Sequence, residues 1–342
     1  MGRARGSAAI PAQPSGPERR GRLSVVRGGA EPSGWVPTTL ERLTRALDLR
    51  ETGPRQFQAA VAEAEWPSFP GALLLASAVV AAERSFPGYQ VGHMSCSFGQ
   101  PPRADHPVGV ALSEVHSGES CITGRMTFRQ RGAVHGQVAV VLRSGATLVA
   151  GDPAPRCGRV APPPVPGAAG RGPRPQAPIV PWELVSVPGP AFAPAGRPRA
   201  VPGAAAAECC PAGCSQTWSR APGAPSEGTL QRALLAYLSE LLPIASAAAV
   251  PYPSPAGDAG LSATVLSHAI TYGARFDLRE WLLAAVEGPA AGEGYMHALA
   301  TFRTRRGEVA ASVSQAAAVW DQGRPPGLAG RGQPARHLML SG

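Results

Sequence analysis

The apolar positions of this 342-residue chain fall into two blocks of similar order, separated by a stretch with no periodicity. Leu40, Leu43 and Leu47 recur at helical spacing and predict a short amphipathic helix, and Gln56 to Val61 alternates as a strand does. From Ala72 to Arg84 the chain is apolar all round, so the helix it predicts must be buried on most of its sides. Four strand-like segments follow at 90–98, 108–116, 120–131 and 135–143, punctuated by Pro101-Pro102, Ser117-Gly118 and Arg131-Gly132. The expected unit is one buried helix with an antiparallel meander wrapped around it.

The pattern then returns. A helix is predicted from Leu230 to Ala249, strands at 263–272 and 280–287, a Gly-containing corner at 288–294, and strands at 295–303 and 308–319 with a turn at Arg305-Arg306-Gly307. An Arg-Gly turn stands in both blocks, at Arg131-Gly132 and Arg306-Gly307, which suggests a pseudo-dimer within one chain. The length accommodates two packed cores. We expect a disordered extension over residues 1–36, a first unit over 37–150, a Pro/Gly-rich linker over 151–227, a second unit over 228–321 and a flexible tail over 322–342.

Composition narrows the classes. The chain has no Lys and no Asn, so its 32 basic residues are all Arg, and its 41 Gly and 38 Pro fit a GC-rich coding sequence. The net charge of +9 therefore reflects Arg scattered through the least fold-like regions, without the aromatic interleaving of a nucleic-acid surface. Surplus Arg also suits attraction of a phosphorylated ligand, such as coenzyme A or a phosphopantetheine arm. Of the six Cys, Cys210 and Cys214 are close in sequence but have no second Cys/His pair at finger spacing, so no metal is expected. The chain has neither a secretory apolar core near its start nor a run of about 18 apolar residues, so the expectation is a cytoplasmic protein with reduced thiols and no membrane span.

Several segments carry more specific information. Phe69-Pro70-Gly71 leads into the Ala-rich buried run, and His116-Ser117-Gly118-Glu119-Ser120 follows in the first block. In the second, Leu266-Ser267-His268 precedes Leu278-Arg279-Glu280-Trp281-Leu282-Leu283-Ala284-Ala285-Val286-Glu287 and then Arg306-Gly307-Glu308-Val309-Ala310-Ala311-Ser312-Val313-Ser314-Gln315. In this order and spacing the chain, from about Thr39 to Trp320, resembles the medium- and long-chain acyl-CoA thioesterases of double-hotdog fold found in bacteria and peroxisomes. The resemblance implies an α+β fold in which two antiparallel sheets, each wrapped around a long helix, are fused in one chain.

In that family an Asp, a later Gln and a Ser/Thr position the water that attacks the thioester. Here Ser267 stands at the Asp position with His268 after it, Gln315 is the Gln, and the Ser/Thr position falls near Pro289-Ala290, where no hydroxyl is available. Hydrolysis by this route needs a carboxylate, which a Ser with no nearby base does not replace. The resemblance thus implies an altered catalytic group of Gln315, His268 and Ser267, with Gly71, His93, Thr271 and Pro289 around the substrate. His268 is an alternative base at neutral pH, and Gln315 an alternative donor to a thioester carbonyl. Asp258, Asp277 and Glu293 are the neighbouring carboxylates that would replace the Asp, His93 stands near where single-hotdog dehydratases place a catalytic His, and Cys121, on the strand after Gly118, is a nucleophile only if its thiolate is stabilised, a buried Cys being commonly inert.

Three functions follow as expectations. The first is hydrolysis of an acyl-CoA or acyl-carrier-protein thioester. The second is a dehydratase, isomerase or cyclase reaction of secondary metabolism on a thioester-bound or polyketide-like intermediate, with His268 or His93 moving a proton. The third is a non-catalytic thioester-binding protein. All three imply no cofactor, a thioester partner rather than nucleic acid or membrane, and a homo-oligomer formed through hotdog sheets.

Overall fold

The computed structural model describes residues 39–59, 71–103, 105–145, 181–187, 215–248, 261–292, 294–321 and 338–339. The first half runs α1 (Leu40–Ala46), β1 (Arg50–Gly53), β2 (Gln56–Ala59), α2 (Gly71–Ser85), β3 (Tyr89–Phe98), β4 (Val108–Ser117), β5 (Cys121–Gln130) and β6 (Ala133–Ser144). The second runs β7 (Glu183–Val187), β8 (Ser215–Arg220), α3 (Gly228–Ala248), β9 (Leu261–Tyr272), β10 (Leu282–Gly292), β11 (Tyr295–Arg303) and β12 (Val309–Asp321), with a short β13 (Leu338–Met339).

Local chemistry sets the ends of these elements. The Thr39 hydroxyl caps α1 by accepting from the Arg42 amide at 3.2 Å, supplying one of the acceptors that a helix start lacks. The β5–β6 turn places Arg131 at φ 51° and Gly132 at φ 84°, the two left-handed residues that a tight hairpin of matching twist requires. Side chains alternate along the strands, as in β5, where Ile122, Gly124, Met126, Phe128 and Gln130 are buried between more exposed neighbours.

The strands form one sheet in the order β1-β2-β4-β5-β6-β3-β9-β12-β11-β10-β8-β7, with β13 on β9. The two sheets expected from the sequence are thus joined edge to edge, because β3 pairs antiparallel with β9 from His93 opposite Thr271 to Ser97 opposite Ser267. The order reads the same from either side of this seam. Each half contributes a hairpin, a helix and a four-stranded meander, and α2 and α3 pack against each other on one face of the sheet. In α2 every residue from Ala72 to Glu83 is buried, which accounts for its lack of a polar stripe.

The linker expectation for 151–227 needs correction. Residues 183–187 and 215–220 are strands that pair with each other, and β8 pairs with β10. They are the second half's counterpart of the β1–β2 hairpin, which pairs with β4. Strands of five and six residues amid Pro and Gly are too short to show periodicity, and pairing with β10 is what orders them. The expected tail at 322–342 likewise supplies β13, whose Leu338 and Met339 face Ala263 and Ser262. The extension at 1–36 and the rest of the linker and tail lie outside the described residues. Among those described, no helix is long and apolar enough to cross a membrane.

Trp182, immediately before β7, is 6% exposed and stacks on Tyr237 of α3, ring centroids 5.9 Å apart and planes 9° from parallel. Trp182→Ala is expected to lower stability by about 3 kcal/mol in a urea titration, as truncation of a buried aromatic does. A segment acting only as a linker would give no change.

Candidate active site

The sheet's twofold alternation decides which polar residues face the helices. On β9, His268, Ile270 and Tyr272 are buried while Ser267 and Thr271 are exposed on the opposite face. On β12, Val313, Gln315 and Ala317 are buried, and Gln315 lies directly opposite His268 in the ladder. His268 and Gln315 are each 1% exposed. The structure therefore brings Gln315 and His268 together and separates Ser267 from both.

Helix α3 covers this pair. The Gln315 side-chain amide donates to the Glu240 carbonyl at 2.6 Å, and its Oε1 has no partner. His268 Nε2 lies 3.1 Å from Ser239 Oγ. Ser239 commits its own proton to the Ala236 carbonyl at 2.9 Å, so the consistent assignment puts the imidazole proton on Nε2 and leaves Nδ1 an acceptor without a partner. Burial pushes the His268 imidazole down to about 3, so it is neutral and a poor base at physiological pH. This removes the physical ground on which His268 served as an alternative base. Ser239 is fully buried, so its contact with His268 does not present a nucleophile.

The residue after Ser239 is a buried carboxylate. Glu240 is 8% exposed, and its carboxylate accepts no hydrogen bond among the described residues. Burial alone lifts its carboxyl to about 7. Gly71, the first residue of α2, makes room for it: a Cβ there would stand 3.1 Å from Glu240 Oε1 and 3.2 Å from Phe98 Cε1. The carboxylate thus abuts the start of a 15-residue helix, where first-turn N–H groups have no intrahelical acceptor and the helix dipole favours negative charge. The Cys96 thiol, directly opposite His268 in the β3–β9 ladder, is pushed up to about 12 by burial and secondarily by Glu240. Tyr237, one turn before Glu240, is also pushed up by burial and then by Glu240.

Of the other candidates, Gly71 belongs to this group. His93 and Thr271 meet each other, Nδ1 to Oγ1 at 2.8 Å, but on the outer face of the seam. The side chain of Pro289 and residues Asp258 and Glu293 lie outside what is described. Asp277 is held by Arg279 at the surface, with Nη2 to Oδ2 at 2.6 Å, and does not enter the group. Cys121 is half-buried on β5, away from the seam. Glu240 was missed because it lies in an apolar run, Ala233 to Leu242, read only for its helical period. The available signal was that it is the sole charged residue in that run, on a helix that must be buried.

Residues 63–148 match the model of the acyl-CoA thioesterase N-terminal domain, and residues 163–319 that of the acyl-CoA thioesterase C-terminal domain. The second match begins inside the stretch expected to be linker. No curated protein matches the chain. Among solved structures, the acyl-CoA thioesterase II TesB2 of Mycobacterium marinum is 24% identical, with 83% of this chain and 99% of that one covered at a TM-score of 0.63. The tesB protein MAP1729c of Mycobacterium avium subs paratuberculosis is 20% identical, covering 82% and 100% at 0.62. A conserved protein of unknown function with hot dog fold from Alicyclobacillus acidocaldarius is 17% identical, covering 81% and 97% at 0.56. At these identities the structures show the fold, a double hotdog.

The environment of Cys96 has a direct consequence. Iodoacetamide at neutral pH is expected to leave Cys96 unmodified in the native protein and to alkylate it only after unfolding, read by peptide mass mapping. Rapid native alkylation would mean that the thiol is exposed and far more acidic than its burial dictates.

Proposed function

We propose that this chain, which belongs to the acyl-CoA thioesterase family, hydrolyses acyl thioesters of coenzyme A with Glu240 as its base. The observation that carries the reading is a carboxylate buried without a counter-ion among the described residues, against the first residue of α2, on the turn of α3 whose Glu240 carbonyl accepts from Gln315. A carboxylate tuned towards neutrality by desolvation is suited to take a proton from water at physiological pH.

In the proposed mechanism a water donates one O–H to Glu240 and the other to the unpartnered Oε1 of Gln315, which directs a lone pair at the thioester carbon. The carbonyl oxygen faces the first-turn N–H groups of α2, which have no acceptor within the helix, and gains their hydrogen bonds as it becomes negative. Glu240 takes the water proton as the C–O bond forms, and the tetrahedral intermediate collapses with cleavage of the C–S bond. The proton on Glu240 passes to the departing sulfur, giving the free acid and the thiol and restoring the carboxylate. His268 holds Ser239, and with it the turn of α3 that carries Glu240, rather than moving a proton.

The dehydratase or isomerase reading is weakened by the same observations. Its two proposed proton carriers are a deeply buried neutral imidazole and a His on the opposite face of the sheet. A carrier-protein thioester remains compatible with this chemistry, since the reacting carbon and sulfur are the same.

Glu240→Gln is expected to lower kcat/KM on acyl-CoA by about 10²- to 10⁴-fold, the usual contribution of a positioned base. In the wild type, kcat/KM should rise with pH below about 7 and level off above it, because the base acts only when ionised. The stability effect has the opposite sign. The folded carboxyl holds its proton up to about 7 while the unfolded one releases it near 4.5, so the wild type loses stability as pH rises through that window. The Gln variant should therefore melt at a higher temperature than wild type at pH above about 7. An inactive variant with unaltered melting would place the loss elsewhere than in a desolvated charge.

Ser267→Asp tests the alternative position. Because Ser267 faces away from α3, this variant should change hydrolysis by no more than about twofold. A gain of an order of magnitude would move the base from α3 to β9.

A further inference from the structure

The internal symmetry gives Glu240 a twin. Matching the first residues of the two helices, Gly71 with Gly228, brings Glu83 onto Glu240, and both are buried, at 7% and 8% exposure. Each carboxylate sits at the start of the other helix: Glu240 beside Gly71, Glu83 beside Thr229 and Arg232. The bulges in the sheet fix the corresponding strand positions. Pairing shifts between Val91 and His93 in β3 and between Val265 and Ser267 in β9, which matches Met94 to His268 and Val140 to Gln315.

The two locations are furnished in opposite ways. Glu83 is saturated: Arg232 donates from Nε at 2.6 Å and Nη2 at 2.5 Å, the Thr229 hydroxyl at 2.7 Å and the Val91 amide at 2.9 Å. The corresponding strand residues in this half, Met94 and Val140, are apolar and buried. For Glu240 the helix positions matching Thr229 and Arg232 are Ala72 and Leu75, which offer no side-chain donor, and the strand residues are the polar His268 and Gln315.

We infer that the fold contains two symmetry-related carboxylate sites and that Arg232, with Thr229, closes the one at Glu83, leaving the Glu240 site alone open to ligand. A guanidinium binding a carboxylate through two parallel N–H groups satisfies both oxygens. A carboxylate so occupied has neither a free lone pair for a water proton nor space for a thioester. The same ion pair fixes one end of the α2–α3 layer, while the other end keeps an uncompensated acid. What the open site does rests on the hydrolase reading; which site is open does not.

A hydrophobic carbodiimide separates the two carboxyls. Dicyclohexylcarbodiimide takes the proton of a carboxylic acid onto nitrogen while the carboxylate oxygen adds to its carbon, and the adduct rearranges to a stable N-acylurea that retains the whole reagent mass. With the full-length wild type near neutral pH, peptide mapping should find this adduct on Glu240 and not on Glu83. In Thr229→Ala/Arg232→Leu, which copies the α2 residues onto α3, Glu83 should become labelled as well. Labelling of Glu83 in the wild type at the rate of Glu240 overturns the inference without any variant. So does an unlabelled Glu83 in a double variant whose circular dichroism and melting remain cooperative. Should the double variant not fold, titration of the wild type with a non-hydrolysable S-alkyl coenzyme A thioether decides: one equivalent per chain supports the inference and two overturn it. Absence of any thioether binding would count against the hydrolase reading, while the labelling result in the wild type still decides which carboxyl is closed.

Discussion

The antiparallel pairing of β3 with β9 is the constraint on which the remaining geometry depends. A sheet edge carries a row of unsatisfied N–H and C=O groups, and here the free edge of each half satisfies that of the other. Once the halves share a sheet, α2 and α3 must lie on the same face and next to each other, since each covers the strands of its own half. Each helix is then covered by sheet on one side and by its twin on another. This is why α2 tolerates an unbroken apolar sequence and why small residues, Ala72, Ala76, Ala78, Ala81 and Ala82, recur along it.

The same packing explains how one fold position gives two kinds of carboxyl. Taking a carboxylate out of water is costly unless donors replace the water, and the two halves meet that cost differently. At Glu83 the donors come from Thr229, Arg232 and the Val91 amide, and the acid is part of the framework. At Glu240 no such donor stands among the described residues, and burial lifts the carboxyl to about 7. The internal duplication thus supplies its own control: the location, burial and residue type are shared, and only the neighbours on the partner helix and the corresponding strand residues differ.

The principal helices and the strands of both meanders were legible because their signal is periodic over ten or more residues, as in β5 and β6. The Arg131-Gly132 and Arg306-Gly307 turns were legible because left-handed backbone at Gly132 and Gly307 suits glycine. The β7–β8 hairpin was not, since its strands are short and their order comes from pairing with β10. Gln315 and Gly71 lie in segments that the sequence singled out and come together beside Glu240, whereas the alternation of β9 turns Ser267, carried along with them, to the opposite face. Glu240 escaped notice because a lone Glu in a helix usually marks its solvated face.

By itself the sequence determined the two-unit architecture, the buried helices and the polar residues available to them, since periodicity and turn chemistry act over neighbouring positions. Only the tertiary structure decided which of those polar residues meet. Glu240 is 169 residues from Gly71 along the chain (240 − 71) and 75 from Gln315, and what brings them together is the pairing of β3 with β9 and the docking of α3 over both. The departure of the Glu240 carboxyl from its usual acidity has the same origin. Desolvation is a property of everything packed around a group, and almost none of what surrounds Glu240 is adjacent to it in sequence.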